Sequence, residues 1–414
     1  MSAISEATQE YGLQINDVHS EVHSAVGLRP YSRVFAVSLC GALAFLDLYC
    51  TQPLLPMLSK AFHASETKVS LTVSAATLGV AVTAVLLSMF GERLDRKRTI
   101  IGAASALAVV TALAATAPTL HALILWRLLQ GLLTPCIFII TIAYVTEEWP
   151  AHLVPRVMSL YVAGTVFGGF TGRIVGGELT EHFGWRLMFV VLALMGVAGT
   201  AFAHRLLRPS RPREHVSRPH LAPMLDNLRN PRLLVTFGIG FCVLFMQVSL
   251  FSYITFYLAA APFDLSTAEL AWIFAVYLVG LIATLAAGTM LARIGLLKGI
   301  LGAIALCLFG TMLTLVPSLA IIGIGLSVAS SGVFISQTCT NSFFRDAAPR
   351  GSRVSAAALY TCIYYAGGTL GGILPGLIWK YAAWPGCVGL ICVFLIAAGA
   401  LAYFGWRSPR KAVA

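Results

Sequence analysis

Charge is scarce in this chain: of 414 residues only 11% are Asp, Glu, Lys or Arg, whereas 58% are hydrophobic. A soluble chain has roughly 25% charged residues, so this one lacks the polar groups to cover a water-facing surface. Acidic residues are the scarcer sign, 17 against 28 basic ones, giving a formal net charge of +11. The Gly-x-x-x-x-Gly-Lys-Ser/Thr loop that cradles nucleotide phosphates is missing, so ATP is not expected to drive the protein directly. No Ser/His or His/Glu cluster lies within an apolar stretch, which argues against an intramembrane enzyme. The absence of an appended soluble domain argues against a membrane sensor or scaffold. Nine cysteines (Cys40, Cys50, Cys136, Cys242, Cys307, Cys339, Cys362, Cys387, Cys392) lack metal-ligand spacing and sit inside apolar stretches. They read as small packing residues, with no disulfide, metal or cofactor expected.

What is present is a series of twelve apolar stretches, spanning roughly 34–59, 68–91, 99–117, 119–146, 156–181, 185–207, 233–260, 269–292, 297–316, 318–343, 353–380 and 384–406. A hydrocarbon core roughly 30 Å thick is crossed by a helix of about 20 residues, which each stretch supplies. The placement of the basic residues then excludes nucleic acid as the reason for the net charge. With the N-terminus in the cytosol, the inner side receives Arg29, Arg33, Arg93, Arg96, Lys97, Arg98, Arg156, the Arg205 to Arg232 cluster, Arg293, Lys298, Arg345, Arg350, Arg353, Arg407, Arg410 and Lys411. The outer side receives only Lys60, Lys68, Arg186 and Lys380. The positive-inside rule therefore predicts both termini in the cytosol, which an even number of crossings requires. Residues 1–33 are polar, without the basic-then-apolar order of a signal peptide, and are expected to form a disordered cytosolic tail. A second short tail covers 407–414.

Between the sixth and seventh stretches, residues 208–232 are rich in Arg and Pro and read as a cytosolic linker between two six-helix bundles, 34–207 and 233–406. Self-similarity supports the division. Gly168, Gly169, Gly172 and Gly177 align with Gly367, Gly368, Gly371 and Gly376 at a constant offset of 199 residues, as do Leu160-Tyr161 with Leu359-Tyr360. Gly91 to Arg96 matches Gly288 to Arg293 at an offset of 197. A parallel repeat of two bundles is an architecture that goes with alternating access.

The motifs can now be compared with a known family. Gly91-Glu92-Arg93-Leu94-Asp95-Arg96-Lys97-Arg98 resembles the cytosolic Gly-x-x-x-Asp-Arg-x-Gly-Arg-Lys loop of the major facilitator superfamily, two residues short before the final basic pair. Arg127-Leu128-Leu129-Gln130-Gly131 is similar to that family's Arg-x-x-Gln-Gly element in span four. Gly164 to Gly177 resembles the glycine-rich antiporter motif of its drug:proton branch, with Gly169 where a proline is usual. Leu48 to Pro56, Gly168 to Arg173, and Leu359 to Tyr365 are similar to the YnfM-type group of bacterial inner-membrane transporters. The resemblance covers all twelve stretches. It implies an all-α membrane protein of two pseudo-symmetric six-helix bundles, and a role in proton coupling for Arg127.

Ionisable side chains within hydrocarbon are costly unless paired or solvated, and by default mark a pathway. Three stand out: Asp47, Arg127 and Arg173. Antiparallel neighbours place them at similar depth, so they can share one cavity in the first bundle. Asp47, the only deep carboxylate, is either a proton carrier or half of a permanent ion pair with an arginine. Arg173 either binds substrate or caps helix carbonyls. Two arginines against one aspartate tilt the cavity towards an anionic or polar substrate. Tyr49, Gln52, Gln130, Gln247, Tyr253, Gln337, Asn341, Tyr360 and Tyr364 complete the candidate polar lining.

The small-xxx-small spacing of Gly164, Gly168, Gly172 and Gly176, with Gly367 and Gly371 in the second half, predicts close helix packing, read here as a sliding contact between the bundles. Pro53 and Pro56 are expected to bend the outer end of span one. At the cytosolic ends, Gly91, Asp95, Arg96, Glu147, Glu148 and Arg156 are expected to form a latch that exists only when the inner ends of the bundles close.

These readings converge on a proton-coupled secondary transporter, acting as a monomer in the bacterial inner membrane. Its partners are a small organic solute, protons and the lipid bilayer, with no nucleic acid and no cofactor. Export is the leading direction. Uptake or exchange of an organic acid or sugar is the alternative.

Overall fold

A computed structural model describes residues 29–90, 93–209, 222–347 and 353–407. Most of both expected tails and about half of the linker, together with Gly91, lie outside the described residues. Among those described, every regular element is a helix. The order is α1 (Arg29–Leu46), α2 (Leu55–Phe62), α3 (Glu66–Phe90), α4 (Arg96–Ala114), α5 (Leu120–Glu148), α6 (Val154–Phe183), α7 (Trp185–Leu206) and α8 (Ala222–Arg229). It continues with α9 (Pro231–Leu258), α10 (Thr267–Trp272), a single tight turn Ile273–Ala275, α11 (Val276–Ile294), α12 (Leu296–Leu313), α13 (Leu319–Ala347) and α14 (Arg353–Trp406).

Eight of these helices (α3, α4, α5, α7, α9, α12, α13 and α14) are long and apolar enough to cross a membrane. Many carry large apolar side chains on the outside, such as Leu194 at 63% and Phe404 at 75% exposure, which only lipid solvates cheaply. Helix α6 is as long but is not among the eight, because its glycines and Arg173 lower its mean hydropathy. Local chemistry sets the ends. Thr119 caps α5, Asn230 caps α9 with Pro231 at its first position, and Ser266 with Glu269 forms a capping box on α10. Helix α14 joins the two last predicted stretches in one run interrupted only at Ala383 (φ 43°, ψ −141°).

The first predicted span breaks deeper than its prolines suggest. Helix α1 stops at Leu46, and residues 47–54 form successive tight turns before α2 begins. Pro53 has no N–H to give the Tyr49 carbonyl, so that oxygen accepts from Gln52 N at 3.1 Å instead. Cys50 N donates to Asp47 O and Leu54 N to Thr51 O in the same short-range pattern. The break thus reaches back to Asp47 and leaves the last carbonyls of α1 to be satisfied by other groups.

The glycine face of α6 packs on α1, not on the second bundle as the sequence spacing was read. A Cβ at Gly164, Gly168 or Gly172 would fall on the carbonyl oxygen of Ser38, Ala42 or Leu46, and one at Gly176 would lie 3.0 Å from Cys50 O. Both helices advance four residues per contact, so this is a fixed in-register seam. Gly367 and Gly371 make the equivalent seam between α14 and α9, against the carbonyls of Phe241 and Phe245. Gly172→Val is therefore expected to force α1 and α6 apart, at a cost of about 3 kcal/mol or more. Gly102→Ala, with open space around the new methyl, is expected to be neutral or to stabilise by up to about 1 kcal/mol. Thermal unfolding of the two variants in detergent, followed by monodispersity, checks both.

Among the described residues, hydrogen bonds between the helices before and after the 210–221 stretch cluster towards one end of the molecule, the end of the 63–65, 184 and 259–266 turns. Gln52 Nε2 donates to Ser252 Oγ (3.2 Å), Trp272 Nε1 to Glu178 (2.7 Å) and Thr267 N to Glu181 (2.9 Å). The Thr77–Thr369 hydroxyl pair (3.1 Å), about midway along α3, is the member of this set nearest the opposite end.

Candidate functional site

The broken α1 creates the site. The main-chain carbonyls in the turns just past the end of α1 are collected by Arg127, which projects from α5. Arg127 donates from Nη1 to Asp47 O (2.7 Å), from Nη2 to Leu48 O (2.5 Å) and from Nε to Thr72 O (3.1 Å). Nη1 also donates to Gln130 Oε1 at 2.5 Å. Arg127 is fully buried. A guanidinium suits this position because its flat fork of donors meets several acceptors at once.

Asp47 lies beside this network without a salt bridge to it, so the permanent Asp47–arginine ion pair considered from the sequence is not formed. Thr111 Oγ1 is 3.0 Å from Asp47 Oδ2 and accepts from Gln130 Nε2 at 2.8 Å. Asp47 Oδ1 is buried and has no hydrogen-bond partner among the described residues. The carboxyl group is thus held at one oxygen by α4 and left open at the other.

Arg173 sits on α6, with its Nε and Nη2 both donating to Gln52 Oε1 (3.0 and 2.7 Å) and its Nη1 to Gly169 O (2.8 Å). Three rings face its guanidinium carbon at about the same range: Tyr49 at 4.9 Å, Phe274 at 4.9 Å and Tyr277 at 5.0 Å. It therefore does cap a helix carbonyl, as one sequence reading had it, but its main partners are Gln52 and an aromatic cage built from both sides of the molecule. No carboxylate neutralises it among the described residues.

In α13 and α14, Gln337 donates to the Tyr364 hydroxyl, and the Tyr360 hydroxyl pairs with Thr340 (3.1 Å). The Tyr360 and Tyr364 rings stack 5.6 Å apart, Tyr365 stands edge-on to Tyr364, and Phe138 faces Tyr365 from α5. Gln247 donates weakly to the Tyr277 hydroxyl (3.4 Å) and leaves its own Oε1 buried and unpartnered.

Two candidates lie elsewhere. Tyr253 is packed in a wall, donating to Gly372 O at 2.8 Å, and Asn341 is exposed near the far end of α13. Four contributors escaped the sequence reading: Thr111, Ser252, Phe274 and Tyr277. Phe274 and Tyr277 carried a usable signal, one helical turn apart at the start of the eighth stretch. A separate apolar groove of ≈ 330 Å³ between α3, α5 and α14, lined by Leu71, Leu78, Leu125, Leu128 and Ile373 among others, touches none of the charged residues.

At the other end, Arg96 grips Glu147 with two hydrogen bonds, Nε to Oε2 at 3.2 Å and Nη2 to Oε1 at 3.1 Å, and Lys97 donates to Leu207 O (2.6 Å). These contacts tie α4, α5 and α7 to one another within the first group, so they do not depend on the two groups meeting. Asp95 belongs to neither pair: its carboxylate accepts from Arg98 N at 2.7 Å and caps α4. Arg156 is exposed, and Gly91 lies outside the described residues. Asp95→Ala is therefore expected to destabilise by about 1 kcal/mol, whereas Asp95→Asn, an equally good cap, should be near neutral. Thermal melts of the two variants separate a cap from a latch, since a latch would lose its charge in both.

A helical membrane protein with buried charges at a broken helix, beside a seam between two helix groups, has the form of a secondary transporter. The chain belongs to the Major Facilitator Superfamily, whose family model matches residues 37–372. It is therefore a multi-pass transporter and not an enzyme. Among curated relatives it is 31% identical over 380 residues to the uncharacterized MFS-type transporter YybF of Bacillus subtilis (91% of this chain, 94% of that one). It is 29% identical over 379 residues to the inner membrane transport protein YnfM of Escherichia coli (90% of each). A bacterial homologue of the human lysosomal transporter Spinster, solved inward-facing and unoccupied, shares the fold with a TM-score of 0.76 at 16% identity, over 92% of this chain and 98% of that one.

Proposed function

We propose that this chain is a proton-coupled exporter of a small organic solute that works by alternating access, as a monomer in the bacterial inner membrane. In this reading twelve segments cross the bilayer in two six-helix bundles. The α1–α2 pair and the α10–α11 pair each make one crossing, and α14 makes two by turning at Ala383. The basic residues Arg33, Arg93, Arg96, Lys97, Arg98 and Arg156 support termini in the cytosol, in which case the end that carries the interbundle hydrogen bonds faces outwards. The geometry is then that of a protein closed outside.

The observation that carries proton coupling is Asp47, buried, with one oxygen unpartnered. A metal cation at a broken helix needs main-chain carbonyls, and here Arg127 already occupies those of Asp47 and Leu48. A lone carboxyl oxygen next to a guanidinium suits a proton better than sodium. Arg173 and Arg127 outnumber Asp47, which favours an anionic or polar solute. Export follows from the likeness of α6 to the antiporter motif.

Proteoliposomes with an imposed pH gradient and a panel of organic solutes test the proposal. Solute movement opposite to proton flow, insensitive to replacement of sodium, supports it. Movement with the proton flow would make the protein an uptake system, and dependence on sodium would remove the proton from the account.

A further inference from the structure

The outer closure contains ionisable groups that the transport site does not use. Glu178 and Glu181 lie three residues apart on the last turns of α6 and so share a face. Across the seam, α10 starts with the Ser266–Glu269 capping box, which leaves the first-turn N–H of Thr267 without a helical acceptor. Glu181 Oε2 accepts that N–H at 2.9 Å, and Glu178 Oε1 accepts the Trp272 indole N–H at 2.7 Å. The contact is close because Gly177 has no side chain where it meets Ala271, and Phe170 packs edge-on to the Trp272 ring at 6.4 Å.

We propose that Glu178 and Glu181 form a proton-binding clasp at the outer mouth, which holds the bundles closed while ionised and releases them when protonated. The proposal rests on the orientation given above but not on Asp47. Both partners across the seam are pure donors. A carboxylate accepts from them with charge assistance, roughly twice as strongly as a neutral group. A proton on either glutamate removes the charge and puts a new O–H donor among donors. By linkage, the open form must then bind these protons more tightly than the closed one. Outside acid would thereby open the route by which protons reach the deep carboxyl.

Ionisable groups on the helices beside the clasp make other contacts. His182 Nε2 is 3.8 Å from the second oxygen of Glu178 and so shares the clasp. Glu269 turns to Ser266, and Arg186 from α7 donates to Ala117 O and lies over the Trp185 ring. His121 at the start of α5 lines the lateral groove, while Arg173 and Asp47 lie deeper on α6 and at the end of α1. The turn Ile273–Ala275 and the first turn of α11 bring no charged group.

Spin labels at Phe183→Cys and Ala260→Cys, both exposed at the outer ends of α6 and α9, report the distance across the mouth in nanodiscs. The native cysteines are buried or half-buried, so a polar label selects the introduced pair. Lowering the pH from about 7.5 to about 4.5, through the range where carboxylates take up protons, should raise the long-distance population several-fold. Glu178→Gln with Glu181→Gln should show that population at both pH values. Trp272→Phe, which keeps both carboxylates, should raise it at high pH and retain a response through Glu181. Asp47→Asn should respond as the wild type does. A wild type without a response, a response unchanged in the double variant, or one lost in Asp47→Asn would each overturn the clasp, the last by moving the sensor to the deep carboxyl.

Discussion

Asp47→Asn is expected to reduce pH-driven solute accumulation to the level of protein-free vesicles while leaving solute binding and solute–solute exchange measurable. Asparagine matches aspartate in size, and its amide oxygen can still accept from Thr111, so the local frame of α1, α4 and Arg127 should stand. What it loses is the ability to take up and release a proton. The unpartnered Oδ1 of Asp47 makes this the sharpest test, because no group among the described residues occupies that oxygen. Flux under an imposed pH step, set beside exchange at equal pH, gives the result. A variant that still concentrates solute under the pH step would show that coupling lies elsewhere, with the outer glutamates next in line. Loss of exchange together with coupling would instead assign Asp47 to the frame.

The deep charges were legible in the sequence because a charge in an apolar stretch is expensive and therefore rare. That argument found Asp47, Arg127 and Arg173 but, apart from the helix carbonyl that Arg173 caps, not what each of them binds. Arg127 was readable as a coupling residue by resemblance, yet its bonds go to main-chain carbonyls, which leave no trace in a one-dimensional pattern. Thr111 was hidden for a related reason: a threonine in a helix ordinarily bonds its own backbone, as it also does here to Leu107, so it carries no signal of a second role. The glycine spacing showed that helices approach closely, and the error lay in the choice of partner. A face of small residues says how near another backbone comes, while which backbone it is depends on long-range packing. Asp95 carries two readings. Its charge suggests a latch, and an aspartate just before a helix is also a standard cap; here it caps α4 through the Arg98 N–H.

Arg173→Gln is expected to weaken binding of organic anions by roughly ten- to a hundred-fold, the equivalent of about 1.5–3 kcal/mol for a hydrogen bond to a charged group, while neutral solutes lose far less. In the closed-outside form the guanidinium is held by Gln52 Oε1 and Gly169 O, and Nη1 and Nη2 each keep one N–H over. The Gln52 oxygen receives Nε and Nη2 together, the pair of donors that a carboxylate takes in a side-on fork. An anion can therefore replace that amide or add to the remaining donors. The rings of Tyr49, Phe274 and Tyr277 keep the group desolvated, so that a missing counter-charge is felt fully. Gln52→Leu provides the complementary test: it frees both donors and should strengthen anion binding if the amide competes for them. Titration of matched anionic, neutral and cationic compounds against the three proteins measures the pattern. Binding of lipophilic cations that is tight and indifferent to both substitutions would mean that Arg173 serves only to join α6 to the broken helix, and the solute would have to be sought among multidrug-type cations.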